Sequence, residues 1–143
     1  MDIVVRKALE ADFDQVSIIF ADENAFHSQL LPERFQIADP IMTRDWFDEL
    51  LTNKNKALLV AEFGDVLVGL VLINLKTTPD DPIFQPRRYA YIEEVSVVKE
   101  HRGKGIGRQL MTKSHEWIVA QGVEEVELFV WERNQNAIRF YEK

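Results

Sequence analysis

The stretch that decides the fold is a glycine-rich loop between a predicted strand and a predicted helix, His101-Arg102-Gly103-Lys104-Gly105-Ile106-Gly107-Arg108. Three glycines in five residues allow the backbone to approach a ligand closely. Because the loop opens a helix, free N–H groups and the helix dipole point at whatever lies there, which favours an anion. Arg102, Lys104 and Arg108 add three cations in a chain whose net charge is −7. The loop therefore predicts a site for phosphate or pyrophosphate.

Two familiar phosphate-binding motifs do not fit this loop. A P-loop needs Gly-x-x-x-x-Gly-Lys-Ser/Thr, which is absent. A dinucleotide site needs Gly-x-Gly-x-x-Gly, whereas the spacing here is Gly-x-Gly-x-Gly and the unit does not begin a doubly wound sheet. On composition alone, a glycine-rich turn that only closes the corner between strand and helix remains an alternative.

Hydrophobic patterning around the loop predicts the element order β-α-α-β-β-β-α-β-α. A β-hairpin turns at Gly64-Asp65, and the strand-helix-strand unit from Tyr89 to Trp131 predicts one parallel pair by a right-handed crossover. The class is therefore α/β or α+β with a mixed sheet. The predicted strands are Ile3–Arg6, Ala57–Phe63, Val66–Leu75, Arg88–Val98 and Val126–Trp131, and the predicted helices are Leu9–Ala25, about 43–51, Gly105–Ala120 and Asn134 to the end.

Individual residues support these helices. Thr43 is a natural N-cap for the second helix, and Gly122 stops the third. The segment from Gln29 to Asp39 contains Pro32 and has no clear period, so it is predicted as loop or broken helix. The predicted core positions of the first and third helices are Phe13, Val16, Ile19, Phe20, Leu110, Met111, Trp117 and Ile118.

Bulk composition restricts the class of protein. A length of 143 residues is usual for one domain, so residues 1–143 are expected to form a single unit. The negative net charge argues against general nucleic-acid binding, which needs a basic surface. Neither a signal peptide nor a membrane helix is predicted, and the chain has no cysteine. Cytoplasm is therefore the expected location, without a membrane partner or a bound metal.

The loop in its context resembles the GCN5-related N-acetyltransferase superfamily. Arg102-Gly103-Lys104-Gly105-Ile106-Gly107 is similar to that family's Arg/Gln-x-x-Gly-x-Gly/Ala signature. The preceding segment from Ile92 to His101 resembles the family's fourth strand. The segments Glu127–Trp131 and Asn134–Lys143 resemble its fifth strand and fourth helix. The predicted order of elements agrees with the family fold.

The resemblance implies a coenzyme A site. Backbone N–H groups of the signature loop would hold the pyrophosphate, and the pantetheine arm would pair with the fourth strand like an added strand, beside a bulge. The strand would act through its backbone rather than its side chains. The positions implied for binding acetyl-CoA are Val95, Ser96, Val97, Arg102, Gly103, Lys104, Gly105, Ile106, Gly107, Arg108 and, for the coenzyme arm, Asn134.

Acetyl transfer needs a group that takes a proton from the attacking amine and a group that protonates the departing thiolate. The fourth strand offers Glu93 and Glu94. Adjacent strand residues point to opposite faces, so at most one faces the cleft unless a bulge intervenes. Glu94 is favoured slightly, and a solvated or ion-paired role stays open for either. Tyr141 matches the family's usual general acid, with a packed core tyrosine as its alternative.

The function implied is transfer of an acetyl or short acyl group from acetyl-CoA to a primary amine, by direct attack in a ternary complex. The acceptor is a small molecule or a peptide amine. The alternative is a non-catalytic acyl-CoA-binding or protein-interaction module on the same fold. The family usually continues beyond its fourth helix into one or two further strands, which are expected to be missing here, and a homodimer stays open.

Overall fold

The computed structural model describes residues 2–78, 82–83 and 85–128. Within these residues, five strands form one sheet, and three α-helices pack on it. In these described ranges, no helix is long and apolar enough to cross a membrane. The strands are β1 Val4–Lys7, β2 Lys56–Phe63, β3 Val66–Thr77, β4 Arg88–Val97 and β5 Val126–Leu128, and the helices are α1 Phe13–Leu30, α2 Arg44–Thr52 and α3 Ile106–Ala120.

The sheet is mixed, as the sequence predicted. The spatial order is β1-β2-β3-β4-β5, with antiparallel pairing from β1 to β4 and parallel pairing between β4 and β5. The parallel pair needs the crossover helix α3 between its two strands. The predicted α/β fold with its mixed sheet is thus confirmed. The end of the fifth predicted strand and the helix from Asn134 lie outside the described residues.

Helix α1 differs from its prediction at both ends. It begins at Phe13 rather than Leu9, because a 3-10 turn at Glu10–Asp12 precedes it. The Asp12 carboxylate accepts a hydrogen bond from the Leu9 N–H at 2.7 Å and pairs with Arg6 at 2.7 Å, which fixes this turn. The helix then runs past Ala25 to Leu30. It ends where Pro32 disfavours a helical conformation for the residue before it.

Helix α2 confirms the predicted cap. The Thr43 hydroxyl accepts a hydrogen bond from the backbone N–H of Trp46 at 3.2 Å, which satisfies one of the free donors of the first turn. In α3, Leu110 and Ile118 are fully buried as predicted. Met111 and Trp117 are only half-buried, because they lie at the margins of the face that α3 turns to the sheet.

The core has two layers, one on each face of the sheet. Helix α3 packs on the face that carries Val71 and Ile73, whereas α1 and α2 pack on the face that carries Leu70 and Leu72. Alternation along a strand sends successive side chains to opposite faces, so each strand feeds both layers. The face of any β4 residue can therefore be read from its partner on β3.

Candidate functional site

A β-bulge in β4 sets the directions of the candidate acidic residues. Leu72 of β3 pairs with Glu94, but the next residue of β3, Ile73, pairs with Ile92. Glu93 is therefore an extra residue without a partner across the ladder. In a regular strand Ile92 and Glu94 would share a face. The extra residue moves Glu94 to the face of Leu72, which is the face covered by α1.

Glu94 lies half-buried on the α1 face of the sheet. Burial, reinforced by the negative charge of Glu23, raises the pKa of Glu94 to about 8. Burial disfavours the charged form of a carboxyl group, and a nearby like charge does the same. Glu94 therefore changes its protonation state close to neutral pH, which suits a group that exchanges protons with an amine.

Glu93 has a different environment. Its side chain is exposed and accepts a hydrogen bond from the Asn74 side-chain amide at 3.1 Å. Asn74 alternates with Ile73 along β3 and so lies on the α1 face as well. The bulge thus brings both glutamates toward one side of the sheet. Only Glu94 is sheltered there from water.

Glu23 of α1 meets the end of β4. The Ser96 hydroxyl donates a hydrogen bond to the Glu23 carboxylate at 3.0 Å, and Ser96 is only 6% exposed. A cleft of about 500 Å³ opens between this part of α1 and the end of β4 with the turn that follows it. Its lining residues are Ile19, Asp22, Glu23, Ala25, Phe26, Gln29, Ser96, Val97, Val98, Lys99, Glu100 and Arg102.

The glycine-rich loop joins this cleft to α3. Gly103 and Gly105 have φ angles of +79° and +83°, in the left-handed region that favours glycine. A Cβ atom at either position would meet no described atom within 4 Å, so the space beside the loop is open. Helix α3 begins after Gly105 without a side-chain cap. Its first N–H groups are thus not satisfied by a capping side chain, and the binding of an anion by Arg102 to Arg108 stays a prediction.

The edge of β4 next to the loop is the predicted place for the coenzyme arm. Among the described residues, β5 pairs with β4 only from Ala90 to Ile92, and the rest of β4 pairs with β3 alone. Val95 and Val97 turn their side chains to the core under α3, whereas Ser96 faces α1. The Arg102 guanidinium donates to the Val97 carbonyl at 3.0 Å and holds the loop against the strand.

Tyr141 and Asn134 lie outside the described residues, so their predicted roles stay predictions. The structure brings together Glu94, Ser96 and the start of the loop along one strand and its following turn. Val95 and Val97 lie on the same strand, but their side chains pack against the core under α3, so only their backbone is left for the predicted contact with the coenzyme arm. Glu93 points toward Asn74 instead of the buried part of the α1 face.

Sequence reasoning missed Glu23 and Gly69. Glu23 continues the series Val16, Ile19, Phe20 at helical spacing, so a charge on the apolar face of α1 was the available signal. At Gly69 an added Cβ would lie 2.9 Å from the Ser96 carbonyl oxygen and 3.1 Å from Leu110. A glycine inside a strand pattern is the usual sign of such a close approach.

Known proteins are similar to this chain in sequence. The sequence is 34% identical to N-alpha-acetyltransferase 60 of Xenopus tropicalis, over 99% of this chain and 58% of that protein. It is 30% identical to L-ornithine N5-acetyltransferase NATA1 of Arabidopsis thaliana, over 87% of this chain and 57% of that protein. The chain thus spans less than two thirds of the length of these curated relatives.

A solved structure extends the likeness to the whole fold. A tetramutant of the BH1408 protein from Bacillus halodurans superposes with a TM-score of 0.90 at 26% identity, covering 97% of this chain and 90% of that one. The sequence model of the acetyltransferase (GNAT) family matches residues 18–143, which include the bulged strand and the glycine-rich loop. The chain therefore belongs to the acetyltransferase (GNAT) family.

Proposed function

We propose that this protein transfers an acetyl or short acyl group from acetyl-CoA to a primary amine, by direct attack in a ternary complex. The observation that carries the proposal is the position of Glu94, a sheltered carboxyl group with a pKa of about 8 on the strand that leads into the glycine-rich loop. Family membership supports the chemistry, and the geometry supports these residues for it.

The residues of the loop fit the coenzyme's diphosphate. The uncapped start of α3 offers N–H donors, and open space lies beside Gly103 and Gly105. Lys104 and Arg108 are exposed cations on the same turn. The part of β4 that follows Ile92 offers an unpaired edge within the described residues, where the pantetheine arm can add as a strand. Bound acetyl-CoA would supply the acyl group as an activated thioester.

Glu94 is our candidate for the proton acceptor. An amine attacks only as the free base, so a proton must leave it before or during attack. The nitrogen forms the new C–N bond as the C–S bond breaks, and one proton passes from the amine to Glu94, directly or through water. Glu93 is the weaker candidate, because its carboxylate is exposed and bonded to Asn74.

Tyr141 and Asn134 complete the proposal from the sequence. Tyr141 would return a proton to the departing thiolate, since a phenol can donate while neutral at pH 7. Asn134 would contact the coenzyme arm. For the whole protein we propose a cytoplasmic location, because a chain without cysteine fits a reducing compartment. We also propose that the protein forms a homodimer, and this part of the proposal rests on the resemblance to the family.

The acceptor class is open between small molecules and peptides. One relative is named for acetylating ornithine at N5, and another is named as an N-alpha-acetyltransferase. We therefore propose a primary amine, which is the group that these two acceptor classes share.

The experiment is to incubate the protein with acetyl-CoA and a panel of primary amines. Thiol release and the mass of each product are followed together. The proposal expects amine-dependent thiol release with one acetyl group added to an amine. Binding of acetyl-CoA without thiol release in the presence of any amine would contradict it and would favour a non-catalytic coenzyme-binding protein.

A further inference from the structure

We infer that Glu23 is a specificity-determining residue that binds a second positive charge on the acceptor, so that the preferred acceptors are diamines and other amines with a further cation. This inference rests on the proposed function. It adds to that function the chemical class of the acceptor and the side chain that selects it.

Glu23 is held in place at the cleft wall. Its carboxylate accepts the hydrogen bond from the buried Ser96 hydroxyl, and Glu23 itself is half-buried. Within the described residues, no lysine, arginine or histidine nitrogen lies within 4 Å of this carboxylate. A single neutral hydroxyl compensates a sheltered carboxylate only in part. A cationic group of a ligand would therefore be stabilised by the Glu23 carboxylate at this point of the cleft.

The charge of Glu23 also acts on Glu94, whose pKa it helps to raise. Glu23 lines the cleft, and Glu94 lies on the same α1 face of the sheet within reach of its charge, so we assign the two carboxyl groups different tasks. The amine that attacks must be neutral, so it leaves no charge for Glu23 to bind. A second ammonium on the same acceptor stays protonated throughout the reaction. It satisfies Glu23 before and after transfer, while the first amine gives its proton to Glu94.

The other wall of the cleft is consistent with this division. Lys99 and Arg102 lie on the turn that leads to the glycine-rich loop, next to Glu100, whereas Asp22 and Glu23 lie on α1. Arg102 is tied to the Val97 carbonyl at 3.0 Å. A negatively charged coenzyme suits the turn and a cationic acceptor suits α1, because complementary charges fix the orientation of each ligand.

The test compares acceptors that differ only in the second charge. Diamines of three to six carbons are paired with amino alcohols of equal length, and kcat/KM is measured with acetyl-CoA. A charge-assisted hydrogen bond is stronger than a neutral one, and we expect the diamines to be preferred by about 10-fold or more. In Glu23→Gln the preference should fall to about 1, mainly through a higher KM for the diamine.

The matched control is Glu116→Gln. Glu116 lies exposed on α3, where it pairs with Lys113 at 3.3 Å, so this change removes the same charge away from the cleft. The diamine preference should survive in it.

The possible outcomes distinguish a failure of this inference from a failure of the proposed function. No preference for diamines in the natural protein overturns the inference, and so does a preference that persists in Glu23→Gln. Acetyl transfer to other amines without turnover of either probe also overturns it. Failure to consume acetyl-CoA with any primary amine would instead contradict the proposed function, and acetyl-CoA titration of the same samples makes that case recognisable.

Discussion

Ile92 and Glu94 are two positions apart on β4 and lie on opposite faces of the sheet, because Glu93 between them has no partner on β3. Ile92 joins the core under α3, and Glu94 turns toward α1. The bulge thus turns Glu94 away from the α3 face and shelters it on the α1 face. It also makes the two neighbouring glutamates different enough to be tested separately.

Exchange of each glutamate for glutamine separates the two candidates. Glu94→Gln removes a sheltered proton acceptor and should lower kcat by about 100-fold or more. Glu93→Gln keeps a side chain that can still bond to Asn74 and should change kcat by less than about 3-fold. Steady-state kinetics with a fixed amine measures both. Equal losses in the two variants would argue against Glu94 as the single acceptor.

The pH profile should report Glu94 directly. Because the pKa of Glu94 is raised to about 8, its basic form grows as pH rises through that value, and kcat/KM should rise with it. The acceptor should be an amine that is already neutral at pH 6, so that its own titration does not contribute. Glu23→Gln removes the like charge and should move the midpoint to lower pH. A midpoint unchanged in this variant would contradict the coupling of the two carboxyl groups.

The free energy of unfolding should fall as pH rises, whereas kcat/KM should rise. The folded pKa of Glu94 lies above its ordinary value of 4.5, so the folded state binds more protons than the unfolded state between about pH 4.5 and 8. Its contribution to the free energy of unfolding therefore falls as pH rises through this window. Glu94→Gln should abolish the decrease in the free energy of unfolding that Glu94 causes, which is on the order of a few kcal/mol by pH 9. Urea unfolding at pH 5 and pH 9 measures the difference, and parallel curves for both proteins would refute it.

The glycine-rich loop can be tested by alanine at Gly105, whose φ is +83°. A side chain in the left-handed region costs about 1–2 kcal/mol, and its Cβ would also enter the space predicted for the coenzyme. Gly64→Ala is the matched control, because Gly64 has a φ of +62° and equally open surroundings in the β2–β3 turn. We expect similar losses in melting temperature but weaker acetyl-CoA binding only in Gly105→Ala. Equal affinity of both variants for acetyl-CoA would show that the loop is not part of the coenzyme site.

Much of the fold was predictable from local patterns. The Gly64-Asp65 turn between two apolar runs specified the central hairpin, and the Thr43 cap marked the start of α2. Glycine spacing, cations and a following helix coincide within eight residues of the glycine-rich loop, and together they predict an anion site there. These features depend on neighbours in the sequence, so a single sequence is enough to find them.

The details of the site depend on distant contacts and were not predictable in the same way. The bulge at Glu93 follows from the register of β4 against Leu72 and Ile73, twenty residues earlier in the chain. The hydrogen bond from Ser96 joins it to Glu23, 73 residues away. Spacing shows that Glu23 lies on the buried face of α1, but only the packing of α1 on the sheet shows which residue it meets.

Calorimetric titration of the protein with acetyl-CoA, with desulfo-coenzyme and adenosine diphosphate as comparisons, tests the coenzyme site most directly. We expect micromolar binding of acetyl-CoA that is tighter than that of adenosine diphosphate, because the arm pairs with β4 in addition to the loop's contacts with phosphate. A folded protein that binds none of the three, or binds adenosine diphosphate as tightly as acetyl-CoA, would contradict the assignment of the loop and the strand edge as one coenzyme site.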